Sequence, residues 1–303
     1  MKSRVGLMFV AFALLTSPAL FAQDQDQNND DQGPQDAGIH WAKGHAKSGA
    51  SGTNGALMTY HGGNIMTYVQ PVQAIFWGTN WHNASFAGDK VSGIDTFYSG
   101  MGNSTYAHTC SEYSGPAGVF VGDSITYQGH IVDSSRATGG NKTWPILAEV
   151  CRQIGTAVVA NGYYPVYVDI PRGHAGYCAW HSAGTCNGVQ IQFAFFFNLD
   201  GDPGCDPQST AGYSQGLAAL ANVSGHELSE TRTDPELNAW YDNSGNENAD
   251  KCAWSFGTNL LKFSNGSEWK IQGNWSNAAY LSSTRGYTNL SGQKGCIDGG
   301  TYQ

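Results

Sequence analysis

The residues best equipped for chemistry are His226-Glu227-Leu228-Ser229-Glu230. In a helix, side chains four positions apart lie one turn apart on one face, so His226 and Glu230 can hold a single cation while Glu227 stands beside them. This is the layout of an H-E-x-x-H zinc helix with its second His replaced by Glu. The intervening acid of such a helix is the general base, taking a proton from the water that the ion polarises. With 9 His and seven Glu in 303 residues, chance matches to H-E-x-x-E are expected on the order of 0.005 times. The competing reading is a helix that turns two acids to solvent, with His226 favoured near its C-terminal end by the helix dipole.

A zinc-type site needs a third protein ligand. Asp250 lies 24 residues after His226 and Glu247 lies 21 after it, a separation typical of a ligand from a following element. Glu236 is the closer candidate. It ranks lower because Thr233 stands where that tight turn usually requires Gly. The expected site is therefore Zn2+ on His226, Glu230 and Asp250, with Glu227 as catalytic base and Glu247 or Glu236 as alternative third ligands. One His with two carboxylates is a hard donor set, so Mn2+ and Ca2+ stay in contention.

Other candidates carry less. Gly122-Asp123-Ser124-Ile125 is similar to the nucleophile block of G-D-S-L esterases, but no D-x-x-H follows to supply the triad base. Cys178 with His181 could form a thiol nucleophile, although a loop Cys in an exported, Cys-rich chain is more often bridged. Asp200, Asp202 and Asp206 read as a plain acidic turn, without a full Ca2+-loop pattern. His40, His45 and His61 read as linker or surface histidines.

These residues need elements to hold them. Tyr213 to Arg232 carries Leu217, Leu220, Val223 and Leu228 at helical spacing and is stopped by Thr233-Asp234-Pro235, so an amphipathic helix bears the motif. A second helix begins at Pro145, continues through Ile146, Leu147, Val150, Ile154 and Val158, and ends at Asn161-Gly162. Met66 to Trp77, Tyr164 to Ile170 and Val189 to Phe197 read as strands, with Pro71 confining the first to an edge or a bulge. A loop containing Cys178, His181 and Cys186 joins the last two. The strand Val189 to Phe197 would offer an edge to an extended peptide.

The 24 acidic and 15 basic residues leave a net charge of −9, which argues against a nucleic-acid partner. Lys2 and Arg4 precede an apolar run from Val5 to Leu15 and small residues to Ala22, the order of a secretory signal peptide. Residues 23–55 read as an acidic, then Gly-rich, disordered tail and linker. Residues 56–303 read as a single large α+β domain with a zincin-like mixed sheet, stabilised by disulfides. Seven cysteines in an oxidising compartment predict up to three bridges. Cys151, on an apolar helix face, is the expected odd thiol, with Cys178–Cys186 and Cys252–Cys296 as the expected pairs.

Several blocks also resemble the EXORDIUM or phosphate-induced protein family: Tyr60-His61-Gly62-Gly63, Ile75-Phe76-Trp77-Gly78, Val166-Tyr167-Val168-Asp169, Cys178-Ala179-Trp180-His181, Val223 to Glu230, Asp234 to Tyr241, and Glu247-x-x-Asp250-x-Cys252. The likeness runs from about Thr59 to Cys296. It implies a secreted protein, associated in plants with the cell wall, apoplast and growth, and it carries no settled catalytic activity. It also puts Glu247 and Asp250 in one block with Cys252, which favours Asp250 as a ligand. The chain departs from the family in its acidic tail, in Asp234-Pro235 where plant forms tend to have Asn-Pro, and in a shorter stretch after Cys252. The expected function is a secreted or periplasmic metal-dependent hydrolase, a zincin-like metallopeptidase acting on a peptide or a cell-wall or matrix polymer, with no membrane partner once the signal is removed. The alternative is a non-enzymatic wall or matrix protein with a structural ion, in which Trp254, Trp269, Trp275 and Tyr280 would contact carbohydrate if exposed.

Overall fold

β-branched and aromatic runs pair into a sheet because their side chains pack well on a pleated surface. A computed structural model describes residues 32–45, 57–282 and 294–299; the segment read as a signal peptide lies outside the described residues. In chain order the elements are β1 (Gly38–Trp41), β2 (Thr59–Tyr60), β3 (Gln70–Trp77), α1 (Ala84–Ala87), α2 (Lys90–Met101), α3 (Thr105–His108), β4 (Ile125–Asp133), α4 (Thr143–Ile154), β5 (Tyr163–Pro171), β6 (Tyr177–Cys186), β7 (Val189–Asn198), α5 (Gln215–Thr233) and β8 (Trp240–Tyr241). Six strands form one mixed sheet in the order β1-β6-β7-β5-β3-β4. β7, β5, β3 and β4 run parallel, and β6 and β1 add on antiparallel.

Side chains alternate across the sheet and divide the core in two. On one face Trp180 stacks on Phe195 and its indole N–H donates to the Gly140 carbonyl, beneath α4. On the other, Tyr167 stacks on Phe196 and shares a hydrogen bond with Ser224 of α5 at 2.7 Å. Helices thus cover both faces. The α+β expectation describes only the antiparallel β1-β6-β7 edge, because β3, β4 and β5 are linked by helix-bearing crossovers as in layered α/β folds.

Several expectations change. The loop predicted around Cys178 and His181 is strand β6, paired to β7 from Ala179↔Phe196 to Cys186↔Val189. Asn187 and Gly188 both take positive φ and close the hairpin as a type I′ turn. β7 is consequently interior, and the edges of the sheet are β1 and β4. Part of the predicted linker is ordered: Ser182 Oγ donates to the Asp36 carbonyl, and Gly38–Trp41 pair with β6. Pro71 lies in β3, which has partners on both sides. It sits where pairing to β5 has not yet begun, and the register with β4 shifts between Val72 and Ala74. α4 ends at Ile154, short of the expected Asn161-Gly162, because Gly155 caps it with a positive φ of 52°.

The motif helix also differs. Ser214 caps α5 by accepting from Leu217 N–H, and Asp234 ends it before Pro235. Every residue from Gly216 to Thr233 is buried, so α5 has no solvent-facing side. The sheet lies on one side, and α2 and the segments around Ile271 and Trp275 enclose the rest. Burial at this level admits Arg232 only because its guanidinium donates to the carbonyls of Ala107 and Gly122.

The disulfides are Cys151–Cys186, Cys178–Cys205 and Cys252–Cys296, and Cys110 is the free, buried thiol. Cys252–Cys296 agrees with expectation. Cys178–Cys186 and a free Cys151 do not, because both Cys178 and Cys186 lie in β6, eight residues apart along an extended strand. One thiol is therefore expected to react with a maleimide only after denaturation, and peptide mapping should find the label on Cys110. Label on Cys151 in the unreduced protein would contradict this pairing.

Candidate metal centre

α5 delivers three of the cluster's side chains at one level of the core, and all are buried. His226 Nε2 lies 3.0 Å from Glu230 Oε1, as the one-turn spacing requires. Asp250, at the start of a 3₁₀ turn, brings Oδ1 to 3.6 Å from the same nitrogen, and its backbone N–H donates to Glu230 Oε1 at 2.8 Å. The donor atoms of His226, Glu230 and Asp250 all lie within 4.8 Å of one another. The three expected ligands are thus brought together. Glu247 instead faces His181, with Oε2 3.2 Å from Nε2. Glu236 lies away from the cluster and accepts from Asn64 at 3.2 Å.

Two histidines join that sequence reading had assigned elsewhere. His181, on β6, brings Nε2 to 3.5 Å from Glu230 Oε2, and its supposed partner Cys178 is bridged to Cys205. His40, on β1, stacks on His226 with ring centroids 3.8 Å apart. Two further groups satisfy the same 4.8 Å limit, His40 with His226 and Glu227, and His181 with Glu227 and Glu230. Alternation along Gly38-Ile39-His40 and Trp180-His181-Ser182 was the available signal, since the register pairs Gly38 with His181 and puts both histidines on the α5 face.

Gly38 is needed for space. A Cβ there would fall 2.2 Å from His181 Nε2 and 2.5 Å from Glu247 Oε2.

The electrostatics are those of several carboxylates and imidazoles packed together away from water. Burial pushes the Glu227 carboxyl well above the usual carboxylate range, with His226 and His181 pulling it partly back. Burial acts on Glu230 in the same sense, yet the adjacent His226 and His181 hold it well below that range. Burial and the neighbouring His226 keep His40 neutral. Neither oxygen of Glu227, nor either ring nitrogen of His40, nor Glu230 Oε2, makes a hydrogen bond within the protein. Buried polar atoms left this way are costly. A divalent cation would satisfy them and favour the ionised carboxylates. These buried His, Glu and Asp groups could hold a metal ion.

Gln272 sets a condition on binding. Its Oε1 accepts from Trp254 N–H at 3.2 Å, and its amide NH2 donates to the Ala249 carbonyl at 3.0 Å while lying 2.8 Å from His226 Nδ1. Oriented this way, the amide donates to Nδ1, which leaves the ring proton on Nε2. Burial opposes a second proton on His226 while the surrounding carboxylates favour it, but a proton on Nδ1 would face the Gln272 N–H. A cation on Nε2 needs Nδ1 to become a donor; a half-turn of the Gln272 amide would supply the acceptor, at the cost of its bonds with Trp254 and Ala249.

A cleft of about 250 Å³ opens beside the cluster, lined among others by Gly38, Ile39, Asp234, Tyr241, Glu247 and Asp250. Through it the Asp250 side chain is 15% exposed while His226 and Glu230 are sealed. The remaining candidates are accounted for locally. Ser124 donates to Asn103 and Asp123 pairs with His108. Asp200 and Asp202 pair with Lys90 and Arg172. Trp269 and Trp275 are core residues, and Trp254 packs on His40.

No protein-family model matches the chain, and no curated protein or solved structure is detectably similar to it.

Two outcomes are expected. Two-bond ¹⁵N–¹H correlation at neutral pH should find the His226 proton on Nε2 in cation-free protein and on Nδ1 after zinc is added; a proton on Nδ1 beforehand would refute the Gln272 assignment. Gly38→Ala should lower unfolding stability by about 1–3 kcal/mol in urea titration, and unchanged stability would mean that His181 and Glu247 are free to move aside.

Proposed function

We propose that the protein is a metal-dependent hydrolase of zincin-like design, acting outside the cytoplasm on an extended polypeptide. The observation that carries this reading is the convergence of His226, Glu230 and Asp250 on one point beside Glu227, at the wall of an open cleft. The donor set suits Zn2+, and its carboxylates also accommodate Mn2+ or Ca2+. When bound, the ion supplies Lewis acidity, polarising the scissile carbonyl and lowering the pKa of the attacking water.

The chain's own residues do the rest. Glu227, with no hydrogen bond to either oxygen, accepts the proton of the attacking water and passes it to the leaving amine. Glu230 and Asp250 balance the cation, while Gln272 and the Asp250 N–H fix His226 and Glu230 in place. β1, not β7, is the strand on which an extended substrate would lie, because β1 is an edge strand and its Gly38 and Ile39 line the cleft. Three disulfides, and the absence among the described residues of any helix long and apolar enough to cross a membrane, fit an exported protein. The motif likeness to EXORDIUM proteins supports the same location.

A second reading has an observation of its own. His226 and Glu230 are completely buried, as befits a structural ion in a non-enzymatic wall or matrix protein.

Activity separates the two. With unfolded casein as substrate, Glu227→Gln should lower turnover by about 10²–10⁴-fold while zinc at His226 is retained. Chelation should abolish turnover and lower the melting temperature, and zinc should restore both. Bound zinc without any hydrolysis by the wild type would favour the structural ion, and wild-type turnover in Glu227→Gln would remove the proposed base.

A further inference from the structure

The two oxygens of Glu230 face different imidazoles. Oε1 is 3.0 Å from His226 Nε2 and Oε2 is 3.5 Å from His181 Nε2. Each imidazole has its own second carboxylate: Asp250 at 3.6 Å from His226, and Glu247 at 3.2 Å from His181. Glu227 reaches toward His181 as well, its oxygen lying within 4.8 Å of a ring nitrogen of His181 and of a carboxylate oxygen of Glu230. A carboxylate shared between two His-carboxylate half-sites is the arrangement of a bridging ligand.

We infer that the cluster holds two divalent cations bridged by Glu230, one between His226 and Asp250 and the other among His181, Glu227 and Glu247. This rests on the reading of the cluster as a cation site and extends it from one ion to two.

Three observations carry the second position. The first is charge. Glu227, Glu230, Glu247 and Asp250 bring four carboxylates into one buried site, more than a single dication can pair when all are ionised, whereas two dications can pair all four. The second is where the unsatisfied atoms lie. Glu230 Oε1 already accepts from the Asp250 N–H, while Glu230 Oε2, Glu247 Oε1 and both Glu227 oxygens make no hydrogen bond. The orphaned oxygens therefore belong to the carboxylates around His181. The third is space. Lacking a side chain, Gly38 keeps its own atoms clear of His181 Nε2 and Glu247 Oε2, which a Cβ would overlap at 2.2 and 2.5 Å. A Glu230 bridge sets the ions about 3.5–4 Å apart, the spacing at which two metals clamp both the attacking and leaving atoms of a hydrolysis. One Glu227 oxygen suffices for the second ion, and the other remains free to take a proton.

The test uses the full chain, stripped with chelator, reloaded with excess zinc and desalted before elemental analysis. Two equivalents are expected for the wild type and one for His181→Gln, with circular dichroism confirming the fold of the variant. Cobalt-loaded wild type should give a spin-coupled paramagnetic resonance signal, a readout that stands even if His181→Gln does not fold. One equivalent of zinc in the wild type would overturn the bridged pair and leave the single-ion hydrolase intact. No bound zinc would overturn both. Two equivalents of uncoupled cobalt would put the second ion outside the cluster and likewise overturn the proposal.

Discussion

The carboxylate of Glu230, caught between two imidazoles in an interior closed to water, is the constraint on which the rest of the structure depends. A buried anion is tolerated only beside matching charge or donors. His226 comes from the same helix, His181 from the strand below, and the Asp250 N–H from the loop above. Each element that closes the site answers to that need. β1 adds His40 and the side-chain-free Gly38, and the 3₁₀ turn at Asp250 aims a backbone donor and a carboxylate at the same point.

Rigidity comes from acids used as local backbone acceptors around the centre. Asp234 accepts from the N–H groups of Asn238 and Ala239, and burial raises its pKa to about 6 against those hydrogen bonds. Asp242 accepts from the N–H groups of Ser244 and Asn246 and pairs with Lys251 at 2.8 Å. The next residue, Cys252, is bridged to Cys296. The segment from Asp234 to Cys252 is thereby fastened at three points, so Glu247 and Asp250 are delivered by a loop with little freedom to relax. Preorganisation of this kind is what a cation site needs, since ordering the ligands has been completed during folding.

The sequence made the motif helix and the nearest part of its environment legible, for a physical reason. The one-turn spacing of His226 and Glu230 is set by helix geometry alone, and the scarcity of Glu elsewhere singled out the segment holding Glu247 and Asp250. β5 and β7 were readable because their β-branched and aromatic runs are long. β6 was not, because Tyr177 to Cys186 is rich in Ala, Ser, Gly and Cys, residues whose strand character here comes from pairing on both sides and not from propensity. β1 escaped for the same reason, being four residues long in a Gly-rich stretch, and with it went His40. The enclosure of α5 was hidden too. Periodicity reports which face is apolar, yet the polar face of this helix is buried because it is occupied by the cluster itself.

The central claim is that a divalent cation completes this cluster. The most direct measurement is an anomalous difference map, recorded on either side of the zinc absorption edge, from crystals of the protein grown with zinc. The account predicts an edge-dependent peak in contact with His226 Nε2, Glu230 and Asp250, with the Gln272 amide turned so that its oxygen meets Nδ1. A map without that peak, with His226 still accepting from the Gln272 amide and water alone among the carboxylates, would contradict it.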